Sequence, residues 1–328
     1  MKKILSLVYL IWFLTACDGS FTREIELDFS DHEYKGVLFS FLSNSDDRDT
    51  LFIRRYFNNR RSRNNNRIYL SYSFPPIYRG GLFIEGVVKL ATEEGEVLPT
   101  PFVKYEPGTG HSIDEFFHKV EGEMEPGMAY SIHAQFLNNP DGRPSPEWPP
   151  VVARDTMPLL TDFEVVDAGI DRPESGKSFG GFIEIKLEDV NEKLDFYNLD
   201  VVCQVTREDG TISYLHAYEE NNSEEDFELF DEYSTVDFSE EDLTTNGKYR
   251  FRFYFGSYDG RDPDGEFRII ARLSHLSDNY VKFYESSDQY QSNEGNPFAE
   301  PSEVYSNVEN GYGIFALSAN SFREVEVR

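Results

Sequence analysis

The chain has 328 residues, of which 60 are acidic and 31 basic, giving a formal net charge of −29. A field of that sign excludes nucleic acid as a partner, because such binding rests on lysine and arginine neutralising phosphates, and it opposes close packing of the protein body onto anionic lipid. The 28 Phe and 20 Tyr residues exclude a disordered chain and can fill the cores of two ordinary domains.

The N-terminus carries Lys2 and Lys3, an apolar run of eleven residues from Ile4 to Leu14, and then Thr15-Ala16-Cys17. This is the pattern of a secretory signal. At about 1.5 Å per residue the run is too short to cross a hydrocarbon core of about 30 Å. Leu14-Thr15-Ala16-Cys17 resembles the lipobox of bacterial lipoproteins, in which the cut precedes the cysteine and the thiol receives a diacylglycerol. Residues 1–16 are therefore expected to be a signal peptide, residues 17–24 a lipidated tether, and Cys17 the lipidation site. Losing Lys2 and Lys3 takes the net charge from −29 to −31. Several acyl chains on one residue anchor far more firmly than a single chain.

Beyond the tether, short aromatic and β-branched runs alternate with Gly, Pro, Asn and Asp, which predicts antiparallel strands joined by turns. In the first half they fall at Gly36–Leu42, Leu51–Phe57, Arg67–Phe74, Leu82–Leu90, Pro101–Tyr105, Glu115–Glu121 and Ala129–Phe136, with turns at Thr92–Glu96 and Glu125–Gly127. These predict an immunoglobulin- or transthyretin-like β-sandwich over residues 25–137. Within it lies an arginine cluster, Arg54, Arg55, Arg60, Arg61, Arg63 and Arg67, with no acid among its fourteen residues. It is a solvated hairpin loop or, alternatively, a contact surface for phosphate or carboxylate groups, which guanidinium matches in bidentate fashion.

Residues 138–150 hold five prolines in thirteen positions, and a linker is expected over 138–158. A second β domain, 159–328, should follow, with strands at Gly181–Leu187, Leu199–Arg207, Ile212–Tyr218, Tyr249–Gly256 and Glu266–Ser274 and a hairpin turn at Glu208–Gly210. The whole is thus all-β, two sandwich-like domains, with one short helix near residues 277–290. There Ser277 can cap the start, Asp278 suits the positive pole, and Leu276, Tyr280, Phe283 and Tyr284 form a stripe expected to pack on a sheet.

Little points to chemistry. If Cys17 is lipidated, Cys203 stands alone in a β-branched run and is expected to be a buried core residue. The six histidines, 32, 111, 118, 133, 216 and 275, form no metal-binding pair. Asp259–Glu266 gathers carboxylates without the ligand spacing of a calcium loop, so a strand-joining turn is preferred. No catalytic residue, metal or cofactor is expected.

The C-terminal segment Gly295–Phe315 runs Asn296-Pro297-Phe298, Glu300-Pro301, Tyr305-Ser306-Asn307 and Gly311-Tyr312-Gly313-Ile314-Phe315. It resembles the closing signature of a Bacteroidota lipoprotein family, domain of unknown function 4249, and Asn246–Phe253 and Leu276–Tyr284 echo that family. The resemblance implies an outer-membrane lipoprotein encoded beside a TonB-dependent receptor, with no catalytic residues to carry over. In physical terms Gly311 and Gly313 should allow positive φ or close backbone approach, while Tyr305, Ile314 and Phe315 supply core. The alternative is a recognition loop at Asn296–Asn310. The expected function is a non-catalytic binding or accessory component of the outer membrane, its ligand unidentified. A structural or adhesive surface protein is the alternative, and a carbohydrate-active enzyme comes behind both.

Overall fold

A computed structural model describes residues 35–44, 66–72, 86–104, 116–137, 149–171, 178–187, 195–219, 235–243, 247–256, 265–293 and 303–327. The signal, the tether with Cys17, Arg54, Arg55, Arg60, Arg61 and Arg63, and residues 257–264 of the acidic turn lie outside the described residues.

In chain order the first strands are β1 (Gly36–Ser43), β2 (Arg67–Tyr72), β3 (Gly86–Thr92) and β4 (Val97–Leu98). Then come β5 (Phe102–Lys104), β6 (Phe116–Lys119), β7 (Ala129–Phe136) and β8 (Val151–Thr156). The second half holds β9 (Phe163–Asp171), β10 (Ser178–Leu187), β11 (Phe196–Thr206), β12 (Ile212–Glu219) and β13 (Thr235–Ser239). It ends with β14 (Lys248–Gly256), β15 (Glu266–Leu276), helix α1 (Asp278–Asn293), β16 (Val308–Glu309) and β17 (Gly311–Val327). The all-β class with a single helix among the described residues is the expected one.

Local patterning explains most elements. β7 alternates buried positions with half-buried or exposed ones, as a strand with one face on a core must. The turns sit where Gly supplies positive φ: Gly95 at +90°, Gly127 at +83° and Gly210 at +81°. The Glu208–Gly210 turn closes through Arg207 N donating to Thr211 O at 2.9 Å.

The larger sheet has the order β5-β6-β2-β1-β17-β15-β11-β12-β14-β10-β9, with β13 alongside β11. The smaller has the order β16-β8-β7-β3-β4. One core lies between the first strands of the larger sheet and the smaller sheet, and includes Leu38, Leu70, Leu90, Ile132, Phe136, Phe315 and Leu317. A second core fills the later strands, around Ile183, Leu199, Cys203, Phe253, Ile269 and Leu273. There the sheet curls until the start of β9 meets β17. Ser321 Oγ donates to Thr161 O at 2.7 Å, and the Arg323 guanidinium contacts Asp162 and lies over the Phe163 ring.

This arrangement corrects the domain boundaries read from sequence. Residues 151–156 of the expected linker form β8, which pairs antiparallel with β7 and buries Val151 and Ala153 in the first core. The proline density ends at Pro150, and the β-branched run after it is an ordinary strand. Moreover β17 pairs in parallel with β1 from Gly36↔Gly311 to Ser43↔Ser318 and antiparallel with β15 from Leu276↔Ser318 to Phe267↔Val327. One strand thus serves both cores, the first sandwich is completed from the far end of the chain, and Lys35–Arg328 forms one compact unit.

Cys203 is fully buried on β11, and burial pushes its thiol up to about 12. Its register partner on β12 is Leu215; His216 stands opposite Val202. Since only the thiolate attacks, Cys203 is expected to resist iodoacetamide at mildly alkaline pH in the folded protein and to react once urea unfolds it. Peptide mass spectrometry reads this out, and labelling of the folded chain would show that β11 opens.

Candidate functional site

Two features meet at α1: a half-buried polar junction beneath its N-terminus and an open cleft along its flank.

The junction is built from β8, the start of α1, the C-terminal signature and β17. Ser277 caps the helix as expected, its Oγ accepting from Tyr280 N at 3.3 Å. The same hydroxyl donates to Asp155 Oδ2 at 2.6 Å. Asp155 also accepts from Leu317 N at 2.8 Å and, on Oδ1, from Asn279 Nδ2 at 2.8 Å. Asn279 Oδ1 in turn accepts the Tyr305 hydroxyl at 2.7 Å. Asn307 bonds both ways to Phe315, through Nδ2 to its O at 2.7 Å and Oδ1 from its N at 2.9 Å, acting as one more rung beside β17. Burial holds the Asp155 carboxyl up at about 6, against donors that favour its charged form.

The signature is therefore architectural where it is described. Ile314 and Phe315 are fully buried, as expected, whereas Tyr305 is only half-buried and, with Asn307, ties α1 and β17 through hydrogen bonds instead of filling the core. Gly313 has φ +112°, and a Cβ on Gly311 or Gly313 would run into the carbonyl of Gly36 or Leu38. The expected glycine roles hold at both positions. Residues 296–302 of the alternative recognition loop lie outside the described residues.

The cleft has a volume of about 250 Å³ and lies between α1 and the β11–β13 pair. Tyr197 and Phe238, register partners on β11 and β13, form its buried floor with ring centroids 5.4 Å apart, and Phe238 is stacked on Tyr249 at 4.4 Å. Half-buried Phe196, Tyr280 and Tyr284 form the walls. The rim carries Asp237, Asp242 and Glu285, all exposed, and among the described residues no basic side chain lines the cleft. Two rim carboxylates also hold the frame. Asp237 Oδ1 accepts from Asn198 Nδ2 at 2.6 Å, and Asp242 Oδ2 accepts from Ser239 N at 2.8 Å, fixing the turn after β13.

The helix stripe is thus divided between two duties. Tyr280 and Phe283 pack on Phe41 of β1 at centroid distances of 4.9 and 5.8 Å, as a core stripe should. Tyr284, expected to pack with them, instead lines the cleft, to which Tyr280 also contributes. Nothing local in the sequence flagged the site, because its walls come from positions some forty residues apart in succession: Phe196, Phe238 and Tyr280.

Among the arginines, Arg67 opens β2; its guanidinium lies 4.0 Å over the Phe117 ring and its Nη1 donates to the Tyr69 hydroxyl at 3.5 Å. This end of the cluster packs on the sheet, apart from the cleft. Behind the cleft floor, buried His275 sits with Nδ1 3.0 Å from Leu159 O and 3.1 Å from Thr161 Oγ1, and Nε2 3.5 Å from Asp195 Oδ1. Contact with a carbonyl requires a proton on Nδ1, so that nitrogen donates and is not placed to take a proton from Thr161. The group braces the segment before β9 against β15.

Among curated proteins no match is found. Among solved structures, a DUF4785 family protein from Legionella pneumophila subsp. pneumophila str. Philadelphia 1 aligns at 10% identity and TM-score 0.23, over 64% of this chain and 48% of that one. The chain spans about half of that structure, and a likeness at this level carries no argument. The family comparison is of a different order. A family described only as a domain of unknown function, DUF4249, matches residues 22–323, nearly the whole chain, and it is to this family that the protein belongs.

Proposed function

We propose that the protein is a lipid-anchored outer-membrane binding component that works beside a TonB-dependent receptor. The observation that carries the binding role is the cleft along α1, where aromatic faces and carboxylates converge on an open space of about 250 Å³. Concave sites with apolar walls and a few polar groups are the usual form of a ligand site. The anchor rests on Leu14-Thr15-Ala16-Cys17 after a short apolar run, and the receptor partnership on the family's C-terminal signature.

Mild-detergent purification of the tagged chain from its own host tests the partnership. An outer-membrane receptor that co-elutes supports it, and a chain recovered alone counts against it. For the anchor, Cys17→Ser is expected to abolish incorporation of a radioactive fatty acid and to release the protein from the membrane fraction. Equal labelling of the variant would end the lipoprotein reading.

A further inference from the structure

We infer that the outer face of the larger sheet, around the start of β1, docks on the headgroup layer of a zwitterionic phospholipid surface. The choice of lipid rests on the anchor proposed above; the face itself is read from the sheet. Leu38, Leu70 and Phe315 belong to the first core, so their neighbours along β1, β2 and β17 point away from it. Register places Ser71, Val37 and Tyr312 in one row across the three strands, and Tyr69, Phe39 and Ile314 in the next. Further along β1, Tyr280 and Phe283 of α1 cover Phe41, and the Phe283 ring meets Phe39 at 5.9 Å. Phe39 and Tyr312 are left 40% and 47% exposed, beside half-buried Val37 and Tyr69.

Scattered exposed rings are ordinary, but these are neighbours on one face, and two observations select lipid as what they meet. The first is where the chain leads. The compact unit begins at Lys35, directly before β1, and Cys17 stands eighteen residues upstream, a reach of at most about 65 Å. The exposed rings therefore flank the point at which the anchored end joins the fold. The second is the kind of side chain. Aromatic rings favour the headgroup level of a bilayer, and basic side chains beside them extend to its phosphates. Lys35 Nζ lies 5.1 Å from the Tyr312 ring centroid, and Arg67 follows Tyr69 on the same face of β2. The acidic body is repelled by anionic lipid and not by a zwitterionic layer, so the contact is apolar before it is electrostatic.

The test is flotation of the chain from residue 17 onward, carrying Cys17→Ser, with vesicles of phosphatidylcholine. Neither signal nor acyl chain is then present, and the face acts alone. The chain is expected to float at millimolar lipid. Tyr312→Ser should weaken partitioning about threefold at an unchanged melting temperature, and Phe39→Ser with Tyr312→Ser about tenfold. Val87→Ser, which removes a side chain 58% exposed on β3, should change nothing. Replacing half the lipid by phosphatidylglycerol should weaken flotation. Three results overturn the inference: a chain that stays with the solvent, a Tyr312→Ser variant that floats like its parent, or stronger binding to the anionic vesicles. A chain that fails to float but forms a dimer that Tyr312→Ser splits would assign the face to a second copy. Fatty-acid labelling decides the anchor separately. Flotation without label keeps the lipid face and loses the anchor; label without flotation does the reverse.

Discussion

Gly313→Ala is expected to be the most damaging single methyl group in the molecule, at a loss on the order of 3–5 kcal/mol. Two effects combine. The backbone at Gly313 has φ +112°, outside what an L side chain adopts readily, and a Cβ there would run into Leu38 O. The obstacle is a backbone carbonyl within the β1–β17 ladder, where Leu38 is the register partner of Gly313 and is fully buried. Relief requires the two strands to part, and parting them opens the first core along Phe315 and Leu317. Gly210→Ala is the control. Its φ is +81°, yet nothing lies within 4 Å of the added methyl, so only the conformational cost of about 1 kcal/mol remains. Urea denaturation of both variants compares them. A Gly313→Ala protein within about 0.5 kcal/mol of the parent would show that β1 and β17 do not approach as described.

That ladder also shows what a sequence can and cannot disclose. Strands with their own alternation and punctuation, such as β7 and the β11–β12 hairpin, are legible because both signals are local. So is the cap of α1, where Ser277 and Asp278 precede the aromatic stripe. The glycines of the signature are legible as positions of close approach, although not what approaches them. The partner of Gly313 is Leu38, 275 residues away, and no local pattern encodes that pairing. β17 itself was open to detection. Ile314–Leu317 is continuously apolar, as a strand buried on both faces must be, and Val325 and Val327 then alternate with Glu324 and Glu326. Read as a motif, the segment concealed the strand, just as the prolines before Val151 concealed β8. The cleft was illegible for the same reason as the ladder: its aromatic walls meet only after β11, β13 and α1 have been brought together.

Asp155 gives the second large effect, and it carries a pH signature. Asp155→Ala is expected to cost on the order of 3–5 kcal/mol, because Ser277 Oγ, Asn279 Nδ2 and Leu317 N all lose one acceptor inside the junction. Asp155→Asn keeps the shape and one acceptor oxygen for Ser277 and Leu317 and gives up only the acceptor facing Asn279 Nδ2, so its loss should be smaller. The two substitutions part most clearly in their titration. Burial raises the folded carboxyl to about 6, above its value of about 4 in an unfolded chain. A folded state that holds a proton more tightly than the unfolded one gains stability from it. That gain is present in full below about pH 4 and is lost as pH rises through about 6, amounting to at most about 3 kcal/mol for a shift of about two units. Asn cannot titrate. The stability of Asp155→Asn relative to the parent should therefore climb between about pH 4 and pH 6 and level off above. Taking the difference removes the background of the other carboxylates, which titrate alike in both proteins. A flat difference across that window would mean that the donors of Ser277, Asn279 and Leu317 hold Asp155 ionised throughout, and that the junction is a fixed, charged anchor for α1.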